Sequence, residues 1–450
     1  MTPVAEGQGQ DAYLAEHARF ARGRGEAAPA WLKTLRDRAR DEFERLGFPT
    51  TRQEAWRFTN VSGIAGTPFR LPEGLPTNAQ ALVARASIPG AVRLVLMNGR
   101  FAPELSDLTT IPVGLKIGSL AAAIAQGAPE CAALGKTAFE GRPFVALNTA
   151  FLEDGALIAV RKGAVIPTPV QVIVITGGPG KAMTHPRVLV SAGPASQASL
   201  AISVITGPGD SHFTNAVIEA SLDEQAVIDC CLDQRGAENA YQVCDLHVTG
   251  GRDSTFRLRT ITIGGRLVRN DATAVLAGEG AHVDLDGCYL ADRTSLVDNH
   301  TTIDHAQPHC TSHELYKGIL DGRARAVFNG RIIVRLDAQK TDSKQTNRAL
   351  LLSDEATINS NPQLEIFADD VKCTHGAAVG QLDEEAMFYL RARGLSLKEA
   401  RDMLIHAYAG EVLQRIAIPQ LRAQLERELF VQLDRDLADH DRLAGGQQGA

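Results

Sequence analysis

The chain has 450 residues, 44% of them hydrophobic and 22% charged, which is enough apolar residue to bury a sizeable core in two or three compact units. A formal net charge of −7 gives no electrostatic reason to expect nucleic acid or an anionic membrane surface as partner. The opening residues hold no basic stretch followed by an apolar one, no run of about 18 apolar residues occurs, and the seven cysteines lack the dense, even spacing of a disulfide framework, so a soluble cytoplasmic protein with reduced thiols is expected.

Between Pro29 and Gly47 the apolar residues Leu32, Leu35, Phe43 and Leu46 fall near helical spacing, with Pro49 beyond, and predict an N-terminal helical unit. The Gly-, Pro- and Ala-rich stretch after it reads as a connector with little regular structure. Residues 1–85 are therefore assigned to this helical region and its connector.

From about residue 90 the texture changes to short runs rich in Val, Ile, Thr and Leu, punctuated by Gly, Asn and Asp, such as VQVIVIT, RVLVSAG and TFRLRTITI. Residues 86–380 read as one long β region. A single sandwich of that length would be unusual, and a stacking repeat is the better expectation. Ala281–Gly287 and Ala324–Gly330 match in pattern with their glycines 43 positions apart. Two coils of about 21 residues each would give that spacing in a parallel β-helix.

Helical texture returns in residues 381–450. Asp383 can cap a short helix that ends at Arg393 before Gly394, and Ser396-Leu397-Lys398-Glu399 has the capping-box pattern that opens a second. Ala400, Leu404, Ala407, Val412 and Ile416 are expected to form one apolar stripe, which Pro419 interrupts before Leu421, Leu425, Leu429 and Leu433 begin another. The tail after Leu443 is expected to be disordered.

Two fragments invite a nucleotide reading, Gly135-Lys136-Thr137 and Gly177–Lys181, but the first has Glu130 where the phosphate loop needs glycine and the second has Ala182 where it needs Ser or Thr. No ATPase activity of the chain's own is expected. The densest polar cluster, Asn299 to Glu314 with His300, Asp304, His305, His309, Cys310 and His313, holds ligand types suited to zinc or iron but matches neither HExxH nor a paired CxxC; on one strand His305, His309 and His313 would stand about 13 Å apart in turn, too far for one ion without a turn. It reads as side-chain ladders between coils rather than as a metal site. There is no CxxC, so a permanently held cluster of the chain's own is not expected. Cys373 and His375 lie two apart and share one face of a strand where the β texture ends. Alone, they read more readily as a packed thiol and a hydrogen-bonded imidazole than as a pair of ligands.

The stretch from Thr301 onward decides between these readings. It includes Asp304-His305, Ser312, Tyr316-Lys317-Gly318-Ile319, Phe328-Asn329-Gly330, Gln339-Lys340-Thr341-Asp342, Gln345, Asn347, Asn361-Pro362-Gln363-Leu364-Glu365-Ile366, Asp369 to Gly376, and Gly380. In these residues it resembles the SufB/SufD family, and the run from Gly376 to Asp383 favours the SufD branch. Weaker echoes occur at Glu54-Ala55-Trp56-Arg57-Phe58-Thr59 and Ala146 to Phe151. The resemblance implies a right-handed parallel β-helix core flanked by N-terminal and C-terminal helical domains. It also implies a non-catalytic scaffold subunit of an iron–sulfur cluster assembly complex, paired with a SufB-like subunit and a SufC-type ATPase. His375, assisted by Cys373, would then be a ligand to iron or to a transient cluster at the subunit interface. The helix opening at Ser396, with Ala400, Leu404, Ala407 and Tyr408, would dock the ATPase. Three rival expectations stand beside this one: a SufB-like scaffold that holds the cluster as a homodimer, a bracket without ligand, and a polysaccharide-binding β-helix, for which aromatic residues are too few.

Overall fold

A computed structural model of the chain describes residues 8–445, apart from 75, 77, 136–138 and 208. Its centre is a parallel β-solenoid of about eight turns built from two sheets. Sheet one holds Gln197–Thr206, Val227–Gly236, Thr255–Gly264, His282–Ala291, Thr311–Leu320, Asp342–Leu351 and Lys372–Gly380 in stacking order. Sheet two holds Phe213–Leu222, Tyr241–Gly250, Leu267–Leu276, Leu296–His305, Arg325–Val334 and Thr357–Ile366. Alternate residues point into the lumen between the sheets, where Ile228, Cys230, Leu232, Val283, Leu285, Ala326 and Phe328 form one continuous core.

The coil is longer than the sequence repeat suggests. Val227, Thr255, His282 and Thr311 pair in register one above the next, 27 to 29 residues apart. Two ten-residue strands and their corners need that length, which a 21-residue coil lacks. The two matching segments around Gly287 and Gly330 lie on opposite sheets, so their spacing spans one and a half coils. The β region is also interrupted: helices Leu120–Ala125 and Pro143–Ala150 fall inside it, and Ser62–Ala65 and Ala79–Ala86 break the expected connector. Packing against the solenoid stabilises these short helices, which lack the length to persist alone.

Outward-facing residues are covered on both sides. The helices Gln8–Arg22 and Ala30–Leu46, the latter bounded by Pro29 and Gly47 as expected, bring Tyr13, Phe20 and Phe43 against sheet two together with Trp56, Phe69 and Phe144. On the other side, Glu384–Ala392, Leu397–Leu413 and Pro419–Gly445 follow one another, and the last two cover sheet one at Cys231, Ile261, Cys288, Leu290, Leu315 and Ile319. Both predicted caps form: Asp383 accepts from the Glu385 and Ala386 amides, and Ser396 and Glu399 complete a capping box. The last helix reaches Gly445, past the expected start of a disordered tail, whose remaining residues lie outside the described ones, as do Lys136 and Thr137.

The Tyr316-Lys317-Gly318 motif has a packing explanation. Tyr316 pairs in register with Gly287 and Gly318 with Tyr289, so each ring lies over a glycine of the neighbouring coil, and a Cβ at either glycine would collide with it. Lys317, between them, points outward: its Nζ donates to the Tyr408 carbonyl at 2.8 Å and to Glu411 at 2.6 Å, holding the helix Leu397–Leu413 on the wall.

Candidate functional site

Among the described residues, no further strand pairs with the final coil of the solenoid. Thr357–Ile366 and Lys372–Gly380 are the terminal strands of their sheets, each hydrogen-bonded to a neighbour on one side. Unpaired main-chain groups along such an edge are a template for another chain. Apolar side chains lie exposed beside it, Phe367 at 62% and Val379 at 52%.

The lumen changes character as it approaches this end. Along one inward column of sheet one, Val283 is followed by Ser312, Ser343 and Cys373; along the next, Leu285 is followed by Glu314, Gln345 and His375. Aliphatic packing thus gives way, coil by coil, to hydrogen-bonding groups and then to a thiol and an imidazole. The groups beneath the last coil are connected: His305 Nε2 is 2.9 Å from Ser312 Oγ, which is 2.7 Å from Ser343 Oγ. Gln345 Nε2 donates to Glu314 Oε2 at 2.7 Å. Gly330 makes this possible, since a Cβ there would occupy the place of the Gln345 amide.

Burial sets the protonation of these groups. The Glu314 carboxyl is raised to about 7 by desolvation, and His305 is lowered to about 4 by the same cause. Cys373 is half-buried against the lumen core, and burial, with Asp342 adding to it, pushes its thiol up. It would therefore meet a metal as a thiol and lose its proton on coordination. All seven cysteines are free, and Cys373 alone is not fully buried. His375, on the same face of the strand, is exposed. Two ligand types suited to iron thus stand side by side at the open mouth of the lumen.

The histidine cluster of the sequence is dispersed. The turn after His305 parts it, leaving His300 on the outer face of sheet two beside Asp298 at 3.0 Å, His305 and Glu314 in the lumen, Cys310 buried against Gly278, His309 in a corner with φ 59°, and His313 on the outer face of sheet one. Sequence reasoning missed the polar column beneath His375, because its members meet only through the register of successive coils.

The proposed docking helix is rotated from the expected stripe. Ala400 is fully buried, as are Ile405, Ala409, Val412 and Leu413; Leu404 is half-buried and Ala407 exposed. Tyr408 is half-buried with the Lys317 ammonium 4.1 Å from its ring centre. The outward side of this helical region carries Phe388, Tyr389, Leu397 and Met403, exposed at 73%, 55%, 59% and 49%. Among the described residues, no helix is long and apolar enough to cross a membrane.

Two family models match the chain in succession: the SufBD protein N-terminal region over residues 10–172 and the SUF system FeS cluster assembly, SufBD core domain over residues 174–408. The chain is 32% identical over 408 residues to an iron–sulfur cluster assembly SufBD family protein of Synechocystis, covering 88% of this chain and 90% of that one. It is 30% identical over 389 residues to the iron–sulfur cluster assembly protein SufD of Escherichia coli, covering 85% and 88%. To SufD of Bacillus subtilis it is 27% identical over 425 residues, covering 88% and 93%.

Proposed function

The chain belongs to the SufBD family of SUF-system iron–sulfur cluster assembly proteins, and we propose that it acts there as a SufD-type scaffold subunit in the cytoplasm, without catalysis of its own, pairing with a SufB-like partner through the open end of its solenoid. A nascent cluster, or the iron for it, is cargo held at that junction by His375 with Cys373. The observation that carries this reading is the coincidence of three features on one coil: unpaired strand edges, exposed apolar residues, and a thiol and imidazole at the mouth of the lumen. A neutral imidazole and a thiol that ionises only on metal binding form a ligand set that can release what it holds, unlike four thiolates. In the complex reconstituted with SufB-like and SufC-type partners, His375→Ala is expected to leave assembly and ATP hydrolysis near wild type while cluster yield, followed by its visible absorption, drops at least about ten-fold. Equal yield from the variant would reduce His375 to an interface residue.

The reading extends to the ATPase. An exposed apolar row on the C-terminal helices, opposite the face that packs on sheet one, suits a second protein surface. Ala400 and Tyr408 support the helix from behind, and Ala407 and Met403 stand where a SufC-type partner would touch. Met403→Asp and Ala407→Asp are expected to weaken binding of that ATPase by at least about ten-fold, the effect of burying one unpaired charge, with the circular dichroism unchanged. Wild-type affinity in both variants would move the docking surface elsewhere.

A further inference from the structure

On the outer wall of sheet one, polar side chains stack one per coil: Arg257, Asp284, His313, Lys344 and Thr374 pair in register. His282 lies two residues before Asp284 on the same face of its strand. The coil thereby brings together two imidazoles and a carboxylate, with one ligand atom from each within 4.8 Å of the other two. Asp284 Oδ1 is 3.0 Å from His282 Nε2 and 3.5 Å from His313 Nδ1.

The surroundings orient these atoms. His282 Nδ1 is 2.7 Å from Thr311 Oγ1; when an ion replaces the Nε2 proton that faces Asp284, this hydroxyl accepts from Nδ1–H and keeps the Nε2 lone pair aimed at the ion. The other carboxylate oxygen of Asp284 faces away, 3.4 Å from Arg259 and 3.6 Å from Arg257. Each guanidinium is shared with a second carboxylate, Arg259 with Asp286 and Arg257 with Asp229. One oxygen of Asp284 is thus held by cations while the other points at two imidazoles.

We propose that His282, Asp284 and His313 form a binding site for a borderline divalent transition-metal ion, zinc or iron(II), on the outer wall of the solenoid. Ligand atoms around such an ion lie about 3.4 Å apart, given metal–ligand bonds of about 2.1 Å. The His282–Asp284 and Asp284–His313 separations are already close to that, and His313, 54% exposed, is free to close the third side. Three protein ligands leave positions for water, as in catalytic zinc sites and in the two-histidine, one-carboxylate iron(II) triad. Magnesium and calcium are disfavoured: they require several oxygens, and here the one carboxylate stands between Arg257 and Arg259. An ion at this place is held by coordinate bonds to nitrogen rather than by charge. The site is separate from the terminal pair, because His313 stands two strands, about 10 Å, from Thr374 and on the opposite face of the wall from Cys373 and His375.

The test uses the full chain carrying Cys373→Ser and His375→Ala, so that the terminal coil contributes no ligands. Titration with cobalt(II), read by visible ligand-field absorption, is expected to reach one equivalent per chain, with zinc and anaerobic iron(II) displacing the cobalt and magnesium leaving it in place. His313→Ala, at an exposed position that cannot disturb the core, is expected to lower affinity at least about ten-fold, and Thr311→Val, which removes the partner orienting His282, about ten-fold. Whichever of zinc or iron(II) binds more tightly at equal free concentration identifies the ion the site prefers. A chain that takes up no cobalt, or one whose affinity survives both His313→Ala and Asp284→Asn, overturns the proposal.

Discussion

Replacing Arg269 by alanine is expected to destabilise the fold by about 3–5 kcal/mol, the cost of removing one partner from a buried ion network. The Arg269 side chain is 2% exposed and faces both Asp298, at 2.6 Å, and Asp271, at 2.9 Å. It also donates to the Ala55 carbonyl at 2.8 Å, and its guanidinium lies 3.7 Å from the Trp56 ring centre. Thr59 Oγ1 completes the cluster, donating to Asp298 at 2.6 Å. Burial alone would raise the Asp298 carboxyl, yet Arg269 and then His300 hold it down at about 2. Without Arg269 a fully buried carboxylate keeps only the half-buried His300 and a hydroxyl. The same residue fastens the segment Glu54 to Thr59 onto sheet two, so the variant is also expected to expose Trp56. Urea unfolding followed by Trp fluorescence reads both effects. Arg331→Ala, which breaks an exposed pair with Glu365, is the control and should cost about 1 kcal/mol or less. If Arg269→Ala costs no more than the control, the network does not hold the N-terminal segment.

Glu314 should make stability fall as pH rises. In the folded chain desolvation keeps its carboxyl protonated up to about pH 7, against an ordinary value of 4.5. Between those values the folded state binds more protons than the unfolded one. The stability this group contributes is full below pH 4.5 and is lost as pH passes through 7, a change of about 3 kcal/mol. Asp245, raised to about 6 mainly by burial, acts in the same direction, whereas His305 and His185, lowered to about 4 and about 3, act oppositely by weakening the fold at acid pH. Glu314→Gln isolates the one contribution, because the amide keeps a carbonyl for Gln345 and has no proton to lose. The variant is expected to match the wild type near pH 5 and to exceed it by about 3 kcal/mol at pH 8. Parallel pH profiles for the two proteins would show that Glu314 is already solvated in the folded chain.

The site was legible in part. Cys373 and His375 could be placed on one strand face because residues two apart on any strand share a face, whatever lies around them. Their setting could not. Gln345 and Glu314 reach the positions beneath His375 only because successive corners keep each coil in register with the last. Misreading the coil as about 21 residues hid that register, and it hid His282, Asp284 and His313 as well.

The sequence by itself determined the class of fold, the helical regions at both ends, the caps at Asp383 and Ser396, and the placing of a thiol and an imidazole on one face of the terminal strand. Each of these rests on local physics: strand alternation, the free amides of a helix's first turn, and the chemistry of single side chains. The tertiary structure alone decided the coil length, the rotation of Leu397–Leu413 that buries Ala400, Ile405 and Ala409, and the gathering of side chains from successive coils. These depend on corner lengths and on which face of sheet one needs covering, so they are properties of non-local packing, in which burial at Cys288, Leu290, Leu315 and Ile319 outweighs the helix's own weak apolar pattern.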